Sequence, residues 1–388
     1  MPHATAARLR PFGTTIFAEM TALAARTGAI NLGQGFPDED GPVEIRRAAA
    51  DALLAGPNQY APARGLPVLC EAIAAHAARF HGTTLDPETQ VQVTVGATEG
   101  IAASLLGLLD PGDEVILVEP YYDSYAAIVA MAGATRRTVG VRPPHFALDP
   151  DEVEAAVVAS GGRARVLLLN SPHNPTGTVL GRETLEALAR ICREHDLVAV
   201  CDDVYEHLVY DGEHVPLHTL EGMAERTLTV SSVGKTFALT GWKVGWVTGP
   251  PDLVAAAATA KQFLTFSGHG PLQQAVALAL GLSDGTYAAT RDTLRAKRDR
   301  LCAGLESAGL TTFVPAAGYF AVVDVASIGE ADGHAFCLAL PERAGVVGVP
   351  VSVFCDDPEL ARTLVRFAFP KREAVIDEAA SRLAGLAR

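Results

Sequence analysis

Residues 166–202 read VLLLNSPHNPTGTVLGRETLEALARICREHDLVAVCD, and the fold class follows from them. Val166 to Asn170 is a short apolar run that reads as a buried strand, and Leu197 to Asp202 is a second one. Between them, Arg182 to His195 reads as a helix with its charge on one face. Strand, helix and strand at this spacing make a βαβ unit, which places the two strands in a largely parallel sheet.

The alternation continues outward from about residue 90 to 250. On the N-terminal side the spacing predicts a strand at Val91 to Val95, a helix at Glu99 to Leu108 and a strand at Val115 to Val118. A helix at Ser124 to Ala132, a strand at Ala134 to Val141 and a helix at Asp149 to Ala159, capped by Asp149, complete that side. On the C-terminal side, strands are predicted at Thr227 to Val230 and Val244 to Val247. Ligands of such sheets bind in crevices at the carboxyl ends of strands, where Asn170, Asp202 and the segment after Val230 fall. The rest reads differently: a long helix at Tyr287 to Ala308, strands at Thr311 to Val314 and Tyr319 to Val325, and a helix at Gly333 to Leu340. A strand at Leu364 to Phe369 and a helix from Arg372 follow. The expected division is a large domain at 41–285 and a smaller α/β domain at 286–388, joined by the segment 1–40.

At ~150 residues per domain, a chain of 388 residues is consistent with two or three domains. With 49% hydrophobic and 20% charged residues, a sizeable core is expected rather than disorder. The formal net charge of −14 argues against nucleic acid and anionic membrane surfaces as partners, since both require clustered Lys and Arg. Cys70, Cys192, Cys201, Cys302, Cys337 and Cys355 lie far apart without CxxC spacing, so no disulfide framework and no metal site is expected. Neither a signal peptide nor an apolar run of the ~18 to 20 residues needed to span a membrane is evident, and a cytoplasmic location is expected.

Four features carry chemistry. Only five of 31 basic residues are Lys, and two of them, Lys235 and Lys243, fall in the Ser- and Gly-rich segment 231–243 just after a predicted strand. An amine that must lose its proton and attack a carbonyl has to be Lys, because Arg stays protonated; an ordinary surface charge is the competing reading. Asp202 ends a buried run, where a carboxylate needs a cationic or protonated partner such as a pyridinium nitrogen, unless it is a loop cap. Tyr205 could donate to a phenolic oxygen or simply pack. Asn170 to Gly177 (NSPHNPTG) has the Pro and Gly punctuation of a rigid loop, with Asn170 and Asn174 as donors or as plain turn residues. Val95 to Gly100 is a strand-to-helix junction of small residues whose free N–H groups could hold a phosphate. It lacks the G-x-G-x-x-G spacing of a dinucleotide site, which counts against a nucleotide-dependent oxidoreductase.

These segments, with Asn31 to Pro37, Asn58 to Tyr60, Glu119 to Tyr125 and Val365 to Phe367, resemble the class I/II aminotransferases of pyridoxal phosphate (PLP) fold type I over essentially the full length. The likeness is strongest to the branch holding kynurenine, glutamine and methionine aminotransferases and the actinobacterial N-succinyldiaminopimelate aminotransferases. The resemblance implies an α/β fold with a large, mostly parallel sheet sandwiched by helices and a smaller domain. It also implies that Lys235 carries PLP as a Schiff base and moves the substrate proton. Asp202 would pair with the pyridine nitrogen, Tyr205 and Asn174 would bond the phenolic oxygen, and Tyr122 would stack on the ring. Ala97, Thr98, Ser232 and Lys243 would hold the phosphate, with Tyr60 reaching from the partner subunit of a homodimer. Arg366 and Asn170 would clamp the substrate carboxylate, helped by the Gly35 backbone; Arg suits this because it binds carboxylates bidentately.

Some positions depart from the pattern. Asp203 stands where the family usually has Glu, and Phe17 where the kynurenine enzymes carry a pocket Trp. His269 matches a pocket position supplied by the other subunit. Arg64 is a candidate for a substrate's side-chain carboxylate. By resemblance the expected activity is amino transfer between an L-amino acid and a 2-oxo acid, with glutamate and 2-oxoglutarate as one pair and N-succinyldiaminopimelate as the preferred partner substrate. A cysteine-conjugate β-lyase is the alternative on the same scaffold. A PLP-sensing regulator would need a basic DNA-binding module, for which the N-terminus has neither length nor charge.

Overall fold

The structure, a computed structural model, describes residues 5–13 and 15–387. Its strands are β1 (Ile30–Asn31), β2 (Val91–Thr94), β3 (Glu114–Glu119), β4 (Thr135–Gly140), β5 (Ala164–Asn170), β6 (Val198–Asp202), β7 (Thr227–Ser232) and β8 (Gly245–Thr248). In the C-terminal part follow β9 (Thr311–Phe313), β10 (Phe320–Asp324), β11 (Val346–Val347), β12 (Val349–Pro350) and β13 (Leu364–Ala368). The helices up to the large sheet's midpoint are α1 (Ile16–Thr27), α2 (Val43–Ala55), α3 (Pro67–His81), α4 (Gly96–Leu108), α5 (Asp123–Met131), α6 (Pro150–Ala159) and α7 (Arg182–Glu194). After them come α8 (Val233–Thr236), α9 (Pro251–Leu264), α10 (Gly270–Leu280), α11 (Asp284–Ser307), α12 (Gly333–Ala344) and α13 (Glu373–Leu383).

Seven strands form one sheet in the order β2-β8-β7-β6-β5-β3-β4. Its strands are covered on both faces, as a parallel sheet requires. In β5, Val166 and Leu168 pack with Ile101, Leu105 and Val230 on one side, while Leu167 and Leu169 pack with Leu185, Leu188 and Ile191 of α7 on the other. That explains why β5 and β6 read as continuous apolar runs rather than as alternating patterns.

The expected parallel sheet has one exception. β8 pairs antiparallel with both β7 and β2, whereas β4, β3, β5, β6 and β7 pair in parallel. The reversal has a positional effect, because the start of β8 meets the ends of its neighbours: Gly245 is in register with Ser232 of β7 and with Thr94 of β2. The residues entering β8 therefore share an edge with the carboxyl ends of β2, β5, β6 and β7.

A four-stranded sheet, ordered β12-β13-β10-β9, lies within residues 311–368, and β1 pairs in parallel with β11. Most predicted elements recur with ends shifted by one or two residues, and Asp149 caps α6 by accepting from Asp151 N–H. Larger shifts occur at α4, which starts at Gly96 instead of Glu99, at α11, which starts at Asp284 instead of Tyr287, and at α12, which ends at Ala344 instead of Leu340. Helices α1, α2, α3, α8, α9 and α10 match none of the elements predicted above. All six cysteines are free, five of them buried and Cys355 partly so. Among the described residues, no helix is long and apolar enough to cross a membrane.

Helix α4 lies so close to α9 that a Cβ on Gly107 would sit 2.4 Å from the Ala256 carbonyl oxygen. Backbone cannot retreat as a flexible side chain can. Gly107→Ala is expected to lower unfolding free energy by about 1–3 kcal/mol, read from urea denaturation; an unchanged midpoint would contradict this packing.

Candidate active site

A cavity of about 310 Å³ opens at the shared strand edge. Five of its walls come from segments the topology brings together: the start of α4, the ends of β5, β6 and β7, and the approach to β8. The smaller sheet supplies Arg366 from β13 and Phe320 from β10, and α1 supplies Phe17.

Asp202 is buried at the end of β6, 5% exposed, in register with Asn170 of β5. Burial pushes its carboxyl up to about 6, while a 2.6 Å hydrogen bond from the Tyr125 hydroxyl favours the anion. Its other oxygen accepts from Val204 N–H at 3.4 Å. No cationic side chain among the described residues forms an ion pair with it. Such a carboxylate is suited to a protonated ring nitrogen in the cavity.

Lys235 stands in the short α8, directly after β7. Its Nζ donates to the Gly35 carbonyl at 3.4 Å and lies 5.7 Å and 5.4 Å from the ring centres of Tyr205 and Tyr319. The Tyr319 hydroxyl donates to the Lys235 carbonyl, which fixes the backbone beneath the amine. Burial pulls the Lys235 ammonium down to about 8; Asp202 opposes this, and Arg366 and Lys243 reinforce it. A fraction of the amine is therefore neutral near physiological pH, the form that attacks a carbonyl.

The phosphate candidates gather around the first turn of α4. Glu99 turns back to accept from Val95 N–H, and its other oxygen accepts from Thr265, which ties this helix start to the end of α9. The amides of the first turn have no partner within a helix and point outward. Gly96 has φ +72°, and a Cβ there would lie 3.2 Å from the Lys243 Nζ, so the ammonium hangs directly over the helix start. Lys243 itself adopts φ +53°, a left-handed conformation that non-glycine residues seldom hold outside functional sites. Ala97, Thr98 and Ser232 line the same corner.

Arg366 is 2% exposed. One guanidinium nitrogen donates to Asn174 Oδ1 at 3.0 Å, another to the Gly33 carbonyl at 3.2 Å, and Nε has no partner. The Phe320, Phe354 and Phe17 rings lie 3.8, 5.1 and 5.3 Å from its central carbon. Burial pulls Arg366 down to about 10, still cationic at neutral pH. Asn170 donates to the Asp202 carbonyl at 2.7 Å and accepts from Asn174 N–H at 2.7 Å, leaving one amide hydrogen available. Asn174 uses its oxygen for Arg366, so its NH₂ is the end free to donate.

Thirteen of the fifteen residues singled out in the sequence line this cavity: Phe17, Gly35, Ala97, Thr98, Tyr122, Asn170, Asn174, Asp202, Tyr205, Ser232, Lys235, Lys243 and Arg366. Tyr60 and His269 do not. Tyr60 is 84% exposed and packs edge-on to Phe266 at 5.5 Å, and His269 precedes α10 with φ +45°. Arg64 also lies outside, and its guanidinium donates to the carbonyls of Thr89 and Val91. Its Nη1 is thereby held at the start of β2 rather than at this cavity. His173 is buried away from the cavity, bonded to Thr176 and pulled down to about 4 by burial.

Sequence reasoning missed the roles of Tyr125, Tyr319 and Phe320, and that Gln34 and Phe36 line the cavity. Tyr125 had a signal, since it lies in the first turn of the predicted helix just beyond Tyr122, and the two rings pack edge to face at 5.6 Å. Phe320 had none, because its approach to Arg366 depends on the antiparallel pairing of β10 with β13.

The donor set fits PLP on three observations: a buried carboxylate lacking a cation, an ammonium poised over a helix start, and a buried guanidinium with an unpartnered nitrogen.

The pattern of the family described as aminotransferase class I and II matches residues 27–383. The chain is 52% identical to a probable N-succinyldiaminopimelate aminotransferase of Mycobacterium tuberculosis, over 99% of this chain and 98% of that protein. It is 39% identical to the methionine aminotransferase of Escherichia coli K12, over 97% of each. Among solved structures, N-succinyldiaminopimelate aminotransferase from M. tuberculosis superposes with a TM-score of 0.96 at 52% identity, covering 99% of this chain and 100% of that one. Aspartate aminotransferase from Thermus thermophilus with maleate gives 0.91 at 34%, covering 99% and 100%. On this agreement of sequence, fold and cavity, the chain belongs to the class I and II aminotransferases: it is a PLP-dependent transaminase of fold type I.

Proposed function

We propose that this transaminase moves an amino group between glutamate and the oxo acid corresponding to N-succinyldiaminopimelate, in the cytoplasm, as a homodimer with Lys235 as the covalent anchor of the cofactor. The observation that carries the substrate reading is the 52% identity, over nearly the whole of both chains, to the M. tuberculosis protein of that name. Exposed apolar side chains at Leu54, Tyr60 and Phe263, each more than 80% accessible, support a partner surface. The confinement of the two sheets to residues 91–248 and 311–368 supports a large domain at 41–285, a small one at 286–388, and 1–40 joining the latter.

When bound, PLP supplies an aldehyde for the substrate amine and an electron-withdrawing ring that spreads negative charge developing at the substrate α-carbon. The chain's residues do the rest. Arg366 and Asn170 receive the substrate carboxylate, through the N–H groups of the guanidinium not given to Asn174 and Gly33 and the Asn170 amide hydrogen not given to Asp202. Lys235, neutral once displaced, takes the α-proton and returns it on the other side of the exchange. Asp202 keeps a proton on the ring nitrogen, with Tyr125 fixing the carboxylate's orientation. Tyr205 and the Asn174 NH₂ donate to the phenolic oxygen, and Tyr122 covers the ring. Lys243, Ser232 and the α4 amides hold the phosphate.

Three outcomes are expected. Lys235→Arg keeps the charge but removes the transferable proton, and should lower turnover by about 100-fold to 10,000-fold, with borohydride tagging position 235 in the wild type only. Turnover within tenfold of the wild type would remove Lys235 from this role.

The rate at which apoprotein captures PLP should rise with pH through about 8, as Lys235 becomes neutral, and level off above it. A rate flat across that range, followed by absorbance in stopped flow, would contradict the lowered value.

In single-turnover assays with a donor panel, N-succinyldiaminopimelate and glutamate should discharge the cofactor's absorbance fastest. If methionine or kynurenine bleaches it while N-succinyldiaminopimelate does not, the substrate assignment is wrong.

A further inference from the structure

Behind the active site, on the other side of the segment that follows β6, lies a second polar cluster that amino transfer does not use. Helix α3 contributes His76 and His81, and the segment after Tyr205 contributes Glu206 and His207. His76 Nε2 and His207 Nε2 are 2.7 Å apart, and His81 Nε2 is 2.7 Å from Glu206 Oε2. Ser231 donates to Glu206 Oε1 at 2.7 Å. One ligand atom from each of His76, His207 and Glu206 falls within 4.8 Å of the others.

We propose that His76, His207 and Glu206 bind one divalent transition-metal ion of the zinc class, tying α3 to the segment after β6. Two imidazoles and one carboxylate are a donor set that such ions accept, with open positions left over. The contact between the two histidines is a hydrogen bond, so one ring now carries its proton on Nε2. Moving that proton to Nδ1 of the same ring frees both Nε2 lone pairs for the ion, and no proton is lost. Bonds of about 2.0–2.1 Å require the two nitrogens to part by roughly half an ångström, which a small tilt of either ring provides. Glu206 keeps an acceptor lone pair on each oxygen beyond the bonds from His81 and Ser231, which then orient it as outer-shell partners orient a ligand.

The surroundings carry a second, independent sign of a missing polar guest. A cavity of about 110 Å³ is lined by His76 and Glu206, with His207 reaching the site through its contact with His76, and extends to exposed Thr84, which gives an ion a way in. On its wall the hydroxyl of Thr227, 1% exposed, has no partner. Nearby His214, whose side chain is 6% exposed, has neither ring nitrogen hydrogen-bonded, its Nε2 lying 3.5 Å from Asp203. The cysteine spacing that argued against a metal site bears only on thiolate ligands. It is silent on residues 76, 206 and 207, which meet only in the folded chain.

The test uses PLP-loaded enzyme, dialysed against chelator, reloaded with Zn²⁺ or Co²⁺ and passed through a desalting column before elemental analysis. The expected result is one ion retained per chain, with Co²⁺ giving a visible ligand-field band that Zn²⁺ abolishes. His76→Gln and His207→Gln should each weaken binding about tenfold or more. A surface group, Glu154, Glu194 and His195, is the competing site, and His195→Ala removes it. Retention unchanged in His195→Ala supports the buried site, and retention lost there overturns it. So does wild-type enzyme that keeps no metal or shows no cobalt band; these arms decide the question even if the buried-histidine variants fail to fold.

Discussion

A carboxylate held in the protein interior without a cation of its own is the constraint around which this molecule is arranged. Asp202 is made costly by burial and tolerable by a single phenol, Tyr125, and by the amide of Val204. Interior negative charge of this kind either takes up a proton or finds a positive partner. The ammonium of Lys235 is near enough to feel it and is itself held close to neutrality by burial and by two other cations. The cavity thus gathers an aspartate raised to about 6, a lysine lowered to about 8 and an arginine lowered to about 10, each moved by burial toward its neutral form.

Holding those groups together is a matter of topology. The parallel strands β5, β6 and β7 deliver Asn170, Asp202 and Ser232 to one edge, and reversal of β8 delivers Lys243 to the same edge. A parallel β8 would have carried Lys243 to the far end of the sheet. Arg366 comes from a separate sheet, stacked on Phe320 and bonded to Asn174. The guanidinium of Arg366 and the carboxylate of Asp202 are therefore carried by different sheets that meet at the cavity.

The sequence made the larger sheet legible because buried parallel strands have a simple signature: Val166 to Leu169 and Leu197 to Cys201 are apolar on both faces. It made the chemistry legible where an amino-acid type is irreplaceable, as at Lys235, or where a charge closes an apolar run, as at Asp202. Direction and distance were not legible. Nothing in Gly245 to Thr248 says that the strand runs backward, since period and composition are the same either way. Tyr60 and His269 could be assigned only by resemblance, and within a single chain they lie outside the cavity. Arg64 had the right charge, yet the carbonyls that engage it belong to Thr89 and Val91, residues some 25 positions away in sequence that meet it only after folding.

The adjacent acids at 202 and 203 carry a last implication. Consecutive side chains leaving a strand point to opposite sides, so Asp202 faces the cofactor cavity while Asp203 faces His214 and its neighbours. The segment from Asp202 to Glu206 is the partition between two polar chambers, Tyr205 lining the front one and Glu206 the rear one. Whatever moves the backbone there moves the walls of both.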